Sequence, residues 1–358
     1  MDPLTPHDDS STDRSELGSS GGGSKEPAPK IPENLREFTI GEELGRGGFG
    51  SVYAAFDTVL QRDVAIKIPH PGLLGHAEVA QMYLEEARAA SRLVHPNIVP
   101  VYKVSSTPDV GFFIVMMRVN GCHLRHWLRS AKPGFRQIVD VLAQVCDALA
   151  FAHDHEIVHR DIKLSNILID ETTETPYLSD FGLALKDDSP DGKPTFLGTP
   201  SYMSPEQTRG EGHRLDQTSD IFSLGVVMYF MLTGQLPFDD PSRFILFEQI
   251  QWVAPPVPSD INPDVPADLV RICMKALEKS RRNRFRSAKE MAAELRVAML
   301  GDIEPDNDRV NIADDDEETP RTLDGSSQTI QRNPVVPKGL RAFDKADASF
   351  FLRLLPGP

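Results

Sequence analysis

The sequence predicts an α+β protein of two lobes, in which a small β-rich lobe with one helix precedes a larger helical lobe. Short runs of β-forming residues, separated by Gly, Pro and Asp, come first and predict a sheet. These runs span residues 38–44, 51–57, 63–68, 98–104 and 111–117. A helical pattern over residues 77–93 interrupts them, and helical patterns dominate after about Leu124. Strands first and helices later indicate two lobes with a cleft between them.

The helices of the larger lobe are predicted from the spacing of their apolar residues. One such stripe comprises Ile138, Leu142, Val145, Leu149 and Ala152. Ser287 and Glu290 have the spacing of a capping box and predict the start of a final helix. Residues 221–232 form the longest apolar run, which is too short to span a bilayer and is interpreted as a buried core helix.

Composition narrows the classes of function. A formal net charge of −15 over 358 residues argues against general nucleic-acid binding, which needs a basic surface. The three cysteines, Cys122, Cys146 and Cys273, include no CxxC pair, which predicts free thiols and a reducing, cytoplasmic compartment. The polar, acidic N-terminus shows no signal peptide, and no membrane segment is expected.

Two polar segments flank the predicted folded region of residues 38–300. Residues 1–36 are rich in Ser, Gly and Asp, and such a composition predicts a disordered tail. Residues 301–337 form an acidic linker that contains Pro and Thr, and residues 338–358 turn apolar again. The apolar end of the chain therefore predicts either a short docking segment or the start of a further module.

A glycine-rich stretch, Gly-Arg-Gly-Gly-Phe-Gly-Ser-Val, occupies residues 45–52 between two β-type runs. Without a Cβ, glycines let backbone N–H groups approach phosphate oxygens closely. Similar stretches occur in dinucleotide-binding turns and in flexible hairpins. A strand rather than a helix follows the glycines, which excludes the dinucleotide-binding turn and leaves a phosphate loop or a plain hairpin.

Lys67 ends an apolar run downstream of the glycines, where its point charge could hold phosphate oxygens. A lysine in a strand is more commonly a solvated edge residue. Taken by itself, Lys67 does not exclude that interpretation. A carboxylate would have to orient the lysine, and the predicted helix offers Glu78, Glu85 and Glu86. Glu86 is the preferred candidate.

Residues 159–166 read His-Arg-Asp-Ile-Lys-Leu-Ser-Asn and carry the strongest chemical signal. Asp161 could accept a hydroxyl proton, Lys163 could contact a transferred phosphate, and Asn166 could bind Mg²⁺. Asp180, which precedes Phe-Gly, is a second candidate ligand for Mg²⁺. A zinc site at the nearby histidines is the alternative, but the surrounding carboxylates favour Mg²⁺. Those histidines are His153, His155 and His159.

The ordered set of glycine loop, Val-Ala-Ile-Lys, helix Glu, His-Arg-Asp and Asp-Phe-Gly resembles the signature of protein kinases. The sequences of residues 95–99 and 202–207 are most similar to those of bacterial serine/threonine kinases of the eukaryotic-like (Hanks) type. The resemblance covers residues 38–300 and implies the two-lobed kinase fold. It also implies the use of ATP and Mg²⁺ to phosphorylate serine and threonine hydroxyls of protein substrates, with catalytic roles for Asp161, Lys163, Lys67 and Glu86.

The same resemblance assigns further residues. The expected ATP-binding residues are Leu44, Gly45, Arg46, Gly47, Gly48, Phe49, Gly50, Ser51, Val52, Ala65, Lys67, Met116, Met117 and Val119. Met116 falls at the gatekeeper position, and residues 117–119 form the hinge that meets adenine. Thr199 would contact Asp161 and Lys163, Asp220 would anchor the long central helix, and Arg284 would pair with Glu206.

The resemblance places an activation segment between Asp180 and Glu206. Arg160 beside Asp161 implies regulation, because in such kinases a phosphate on that segment often neutralises this arginine. Thr195 is the preferred phosphosite and Ser189 the second candidate. A pseudokinase that binds nucleotide and partners without catalysis is the rival interpretation. Residues 338–358 also resemble the opening of STAND-type NTPase modules, so a signalling domain absent from this chain is the alternative to a docking segment.

Overall fold

The computed structural model describes residues 34–47, 50–70, 77–108, 110–181, 199–211 and 215–300 of the protein. Within these ranges the strands of one sheet come first and most of the helices follow. The predicted two-lobed α+β fold is therefore confirmed.

The smaller lobe is built on an antiparallel sheet with the strand order β1-β2-β3-β4-β6-β5. Its strands are β1 Asn34–Leu35, β2 Phe38–Gly47, β3 Gly50–Asp57, β4 Arg62–Pro69, β5 Val101–Thr107 and β6 Gly111–Met117. Helix α1, Ala77–Ala90, lies between β4 and β5 in the chain. Phe38, Val64, Ile66 and Phe113 form part of an apolar cluster within this lobe, so the β-branched and aromatic residues that predicted strands also build its core.

The first strand corrects the predicted extent of the N-terminal tail. Asn34 pairs with Thr39, and Leu35 pairs with Phe38. Leu35 is only 1% exposed, and burial of its side chain stabilises this short pairing. The predicted disordered tail therefore cannot extend to residue 36, because residues 34 and 35 belong to the sheet.

Several further boundaries differ from prediction, and two of them have a clear physical reason. Strand β5 begins at Val101 instead of residue 98, because Pro100 has no N–H to give to a ladder. Ile98 makes only an isolated parallel bridge to Leu178. Helix α1 ends at Ala90 rather than residue 93, where the Leu93 N–H donates to the Ala90 carbonyl at 3.0 Å and closes a tighter turn.

The larger lobe consists mainly of helices. They are α2 Leu124–Ala131, α3 Phe135–Asp154, α4 Pro205–Thr208, α5 Gln217–Thr233, α6 Arg243–Trp252, α7 Pro258–Ile261, α8 Ala267–Ala276 and α9 Ala288–Leu300. A small antiparallel sheet joins β7 Gly121–His123, β8 Ile167–Asp170 and β9 Pro176–Leu178. All five residues of the predicted stripe on α3 are buried.

Helix α5 forms the centre of the larger lobe, and the predicted buried helix is confirmed. The Asp216 carboxylate caps its start by accepting the Thr218 N–H at 2.8 Å. Gly234, with φ 74°, ends it in a left-handed turn. A Cβ on Gly225 would lie 2.9 Å from Cβ of Ala276, so glycine here permits close packing of α5 against α8.

Two smaller predictions about this lobe have clear outcomes. The Ser287 hydroxyl accepts the Glu290 N–H at 3.2 Å, as a capping box requires. The Glu290 carboxylate, however, accepts from the Arg286 N–H at 2.8 Å, so the return bond falls one residue earlier than predicted. Cys122, Cys146 and Cys273 are all free thiols, as predicted, and the last two are buried like small apolar residues.

Candidate active site

The glycine-rich stretch forms the hairpin between β2 and β3, where Gly45 pairs with Val52 and Gly47 pairs with Gly50. Gly48 and Phe49 lie outside the described residues. A Cβ on Gly50 would lie 2.3 Å from the Ile68 carbonyl oxygen, so this position admits only glycine without a shift of β4. Of the remaining predicted loop residues, Arg46 pairs with Glu43 at 2.9 Å, Ser51 is buried, and Leu44 is exposed.

Several residues of the predicted adenine site belong to one apolar cluster or pack against it. Ala65 pairs with Met116 across β4 and β6. Val52, Met117 and Val119 pack against the cluster that contains these two residues. The structure thus brings together the predicted gatekeeper, hinge and strand residues. A small cleft beside Met116 is lined by residues that include Ala87 and Ala90 of α1, Asp180 and Phe181.

Lys67 is buried, only 4% exposed, and its ammonium contacts Asp180. Lys67 Nζ lies 2.7 Å from Asp180 Oδ1. Burial alone would raise the pKa of Asp180, but the charge and hydrogen bond of Lys67 outweigh burial and hold that pKa below its usual value. The predicted partner, Glu86, belongs to α1, and its side chain lies outside the described residues.

The candidate catalytic loop connects α3 to β8, and its side chains contact one another. Lys163 Nζ lies 2.9 Å from Asp161 Oδ2 and donates to the Thr199 hydroxyl at 3.1 Å. Asn166 Nδ2 donates to the Asp161 carbonyl at 2.7 Å and to its carboxylate at 3.0 Å. These contacts group Asp161, Lys163, Asn166 and Thr199, four of the residues that the sequence singled out.

Asp220 at the start of α5 holds the backbone that precedes Asp161. Its carboxylate accepts the N–H groups of His159 and Arg160, each at 2.8 Å. His153 Nε2 lies 2.8 Å from the same carboxylate. Burial would raise the pKa of Asp220, but His153 and these donors lower it below the usual range. Nothing in the sequence had suggested a partner for His153, because its contact spans 67 positions.

A buried ion pair links the end of the activation segment to the turn before α9. Arg284 Nη1 and Nη2 lie 2.8 and 3.0 Å from the two carboxylate oxygens of Glu206. The Ser219 hydroxyl donates to Glu206 at 2.7 Å. Burial would raise the pKa of Glu206, but Arg284 and Ser219 lower it. The pairing expected of Glu206 and Arg284 is thus present in the structure, whereas Ser219 was not predicted.

The three histidines of the alternative zinc site contact other groups. His159 Nε2 lies 2.8 Å from the Ser179 carbonyl oxygen, and His155 Nδ1 lies 2.8 Å from that of Phe151. Within the described ranges no group of three or more His, Cys, Asp or Glu side chains is arranged to hold a metal ion. The predicted phosphosites Thr195 and Ser189 fall in residues 182–198, which lie outside those ranges.

Comparison with known protein families decides the family. The protein kinase domain family matches residues 38–294. The chain belongs to the protein kinase family. Curated relatives include the serine/threonine-protein kinases Pkn1 of Myxococcus xanthus, PrkC of Bacillus subtilis and PknB of Mycolicibacterium smegmatis. The predicted resemblance to bacterial Hanks-type kinases is confirmed.

The relatives are longer than this kinase chain. It is 33% identical to Pkn1 over 315 residues, which cover 86% of the chain and 43% of Pkn1. It is 35% identical to PrkC over 285 residues, covering 79% of the chain and 43% of PrkC. It is 38% identical to PknB over 273 residues, covering 74% of the chain and 43% of PknB. The chain therefore spans less than half the length of these relatives.

Solved structures support the kinase fold. The PknI kinase domain of Mycobacterium tuberculosis is 24% identical, with a TM-score of 0.60 over 76% of this chain and 99% of that domain. No helix of this kinase's described ranges has both the length and the apolar character to span a bilayer.

Proposed function

We propose that this kinase transfers the γ-phosphoryl group of ATP to serine and threonine hydroxyls of protein substrates. The observation that carries the proposal is the grouping of Asp161, Lys163 and Thr199. Lys163 Nζ lies 2.9 Å from Asp161 Oδ2 and 3.1 Å from Thr199 Oγ1. An acceptor for a hydroxyl proton and a cation for phosphate oxygens are thus adjacent, as phosphoryl transfer requires.

In the proposed reaction the substrate hydroxyl oxygen attacks the γ-phosphorus of ATP and the bond to the β-γ bridging oxygen breaks. The attacking hydroxyl gives its proton to the Asp161 carboxylate, and ADP departs with the electron pair of the broken bond. Lys163 stabilises negative charge on the transferred group. Asn166 orients Asp161 by donating to both its carbonyl and its carboxylate, at 2.7 and 3.0 Å.

The residues that would hold Mg²⁺ fit the preferences of that ion. Both hydrogen-bond donors of the Asn166 amide face Asp161, which leaves the amide oxygen as the atom suited to a hard cation. Asp180 pairs with Lys67 through one oxygen at 2.7 Å and keeps a second. When bound, Mg²⁺ would neutralise charge on the phosphates and orient them.

Lys67 and the glycine hairpin would hold the nucleotide. Lys67 would contact α- and β-phosphate oxygens, and the backbone of residues 45–52 would cover the phosphates. The adenine would lie among the cluster that includes Ala65, Met116 and Val119. Glu86 would pair with Lys67 in the nucleotide-bound enzyme, in place of the Asp180 contact.

The wider biology of the chain is proposed from its sequence. Lys163 and the pair Gly198–Thr199, which precedes Pro205 and Glu206, favour Ser/Thr over Tyr substrates. Thr195 is the first candidate site of autophosphorylation and Ser189 the second. A docking segment and the opening of a STAND-like module both remain open for residues 338–358. The cytoplasm remains the predicted compartment. A pseudokinase is not proposed, because Lys67, Asp161 and Asp180 are all present.

One experiment tests the enzymatic proposal. The chain is incubated with Mg²⁺, γ-labelled ATP and a generic protein substrate beside Asp161→Asn, and phosphoamino acids are identified after hydrolysis. Asp140→Asn is the control, because Asp140 is an exposed residue of α3 whose carboxylate accepts from the Gln144 amide at 2.9 Å, outside the group of Asp161, Lys163 and Thr199. The wild type and the control should yield phosphoserine or phosphothreonine, and Asp161→Asn should not. Equal label in wild type and Asp161→Asn would overturn the proposal.

A further inference from the structure

The side-chain amide of Gln207 connects helix α4 to the candidate catalytic loop. Gln207 Oε1 accepts the N–H of Ser204 at 2.9 Å. Its Nε2 donates to the Arg160 carbonyl oxygen at 2.7 Å, across 47 positions of the chain. The acceptor end therefore serves the cap of its own helix, while the donor end reaches the residue directly before Asp161.

Arg160 has a backbone conformation that its surroundings must maintain. Its φ is 68°, in the left-handed region that residues with a Cβ seldom adopt. Its N–H donates to Asp220 Oδ1 at 2.8 Å, and its carbonyl accepts from Gln207 at 2.7 Å. Both polar backbone groups of this residue are thus held by side chains, one from α5 and one from α4.

The peptide unit between Arg160 and Asp161 fixes where the Asp161 carboxylate points. Asp220 accepts the N–H of Arg160, which belongs to the preceding peptide unit. Gln207 donates to the Arg160 carbonyl, which belongs to the peptide unit between Arg160 and Asp161. Asp220 makes no bond to this peptide unit, whose N–H donates to His159 Nδ1 at a long 3.3 Å. The shorter Gln207 bond, at 2.7 Å, restrains its carbonyl and so the Arg160 ψ angle. The same segment also contacts the loop through Thr199, which accepts from Lys163 at 3.1 Å.

We infer that Gln207 is a positioning residue for the proposed phosphoryl transfer, through which the end of the activation segment fixes the peptide before Asp161. Gln207 acts through Arg160 and does not touch reacting groups. The inference rests on the proposed function, because it assigns Gln207 a part in that reaction. It also makes the orientation of Asp161 dependent on the folding of residues 199–207 against the loop.

Two substitutions separate the donor from the rest of the side chain. Gln207→Glu keeps the shape and can still accept the Ser204 N–H, but at neutral pH it cannot donate to Arg160. Gln207→Met removes both bonds without adding charge. Gln217→Glu is the matched control, because Gln217 Nε2 donates to the Arg286 carbonyl at 2.6 Å on the exposed start of α5, away from Asp161.

The measurements are kcat, the KM for ATP and the thermal midpoint of each purified full chain. We expect Gln207→Glu and Gln207→Met to lower kcat by roughly ten- to a hundred-fold, because small misplacements of a catalytic group have effects of that size. The KM for ATP should stay within about twofold, since the nucleotide contacts lie elsewhere. Gln217→Glu should match the wild type in kcat, and all variants should melt within about 5 °C of it.

Three results would overturn the inference. One is a kcat within twofold of wild type in both Gln207 variants. Another is a loss in Gln207→Glu alone, which would mean that added charge near Asp161 is the cause. The third is a loss that accompanies a melting shift and an equal rise in KM, which would indicate general loosening. An inactive wild type in the same assay would instead contradict the proposed function.

Discussion

Arg284 and Glu206 are joined by two hydrogen bonds, of 2.8 and 3.0 Å, although 78 positions of the chain separate them. Both side chains are almost fully buried, at 0% and 2% exposure. Arg284 also donates to the carbonyls of Thr218, Glu278 and Lys279. The pair therefore ties α4, the start of α5 and the turn after α8 into one unit.

Removing one member of this pair should destabilise the fold strongly. Glu206→Ala leaves the Arg284 charge buried without its carboxylate, and such losses cost about 3–5 kcal/mol. Urea unfolding measures the difference. Arg281→Met is the control, because the Arg281–Asp216 pair has a similar distance of 3.0 Å but is exposed and should contribute less than about 1 kcal/mol. Equal losses in the two variants would contradict the assignment of Glu206 and Arg284 as a buried structural pair.

Lys279 should make stability depend on pH above neutrality. Its ammonium donates to the Gln249 and Ile250 carbonyls at 3.2 and 2.7 Å and faces the Phe238 ring. Burial, followed by repulsion from Arg284, nevertheless lowers the pKa of Lys279 to about 7. An unfolded lysine titrates near 10.5. Between these values the unfolded chain binds a proton that the folded chain lacks, so the free energy of unfolding rises with pH.

Lys279→Met should remove this rise. The wild type should gain about 1–2 kcal/mol relative to Lys279→Met between pH 7 and pH 10, after allowance for solvent screening at a half-buried site. Urea unfolding at both pH values measures the gain. Lys289→Met, which removes an exposed lysine from α9, should keep the pH dependence of the wild type. Parallel curves for wild type and Lys279→Met would mean that Lys279 stays charged throughout.

Gly50→Ala should destabilise the smaller lobe. The added Cβ would meet the Ile68 carbonyl oxygen at 2.3 Å, so β3 and β4 would have to separate. The cost of such overpacking is about 1–3 kcal/mol. Gly45→Ala is the matched comparison, because a Cβ there meets nothing within 4 Å. Thermal melts of both variants check this prediction, and a Gly50→Ala midpoint equal to that of Gly45→Ala would contradict it.

Lys67→Met should reduce phosphoryl transfer by at least roughly a hundred-fold, because under the proposal its buried cation contacts phosphate oxygens, and a preorganised charge of this kind contributes about 3–4 kcal/mol to transition-state stabilisation. Steady-state assays with varied ATP measure the loss. Lys103→Met is the control: Lys103 lies on β5 and pairs with Glu37 near the surface. Retention of more than a tenth of wild-type kcat/KM in Lys67→Met would argue against the proposed phosphate contact.

The sequence was most informative where the chemistry lies within a few consecutive residues. Asp161, Lys163 and Asn166 share one octapeptide, so their residue types alone suggested a common site. Asp220 and the pair of Arg284 with Glu206 were expected only through the family resemblance. The structure contains that pair and adds the partners of Asp220. The β-type runs predicted five of the six strands in the larger sheet, because strand residues carry a local signal.

Contacts with the backbone were not predictable. Gln207 reaches the Arg160 carbonyl, and any residue type at position 160 would offer the same carbonyl.

Some side-chain pairs were not predictable either. His153 could not be matched to Asp220, since the sequence holds many carboxylates and does not say which is near. The same ambiguity affects Lys67, whose observed contact is Asp180, while the predicted pairing with Glu86 stays a prediction. The strand Asn34–Leu35 was not predicted, because two residues are too few to show the alternation of apolar and polar residues that marks a strand.

The carboxylate of Asp220 also has a consequence for synthesis of the protein. It accepts the N–H groups of His159 and Arg160, which precede it by 61 and 60 positions. On the ribosome, residues 159–161 therefore emerge long before the side chain that holds their backbone. A nascent chain cannot assemble the backbone arrangement ahead of Asp161 until translation has passed position 220, so the order of synthesis itself delays the competence of this loop.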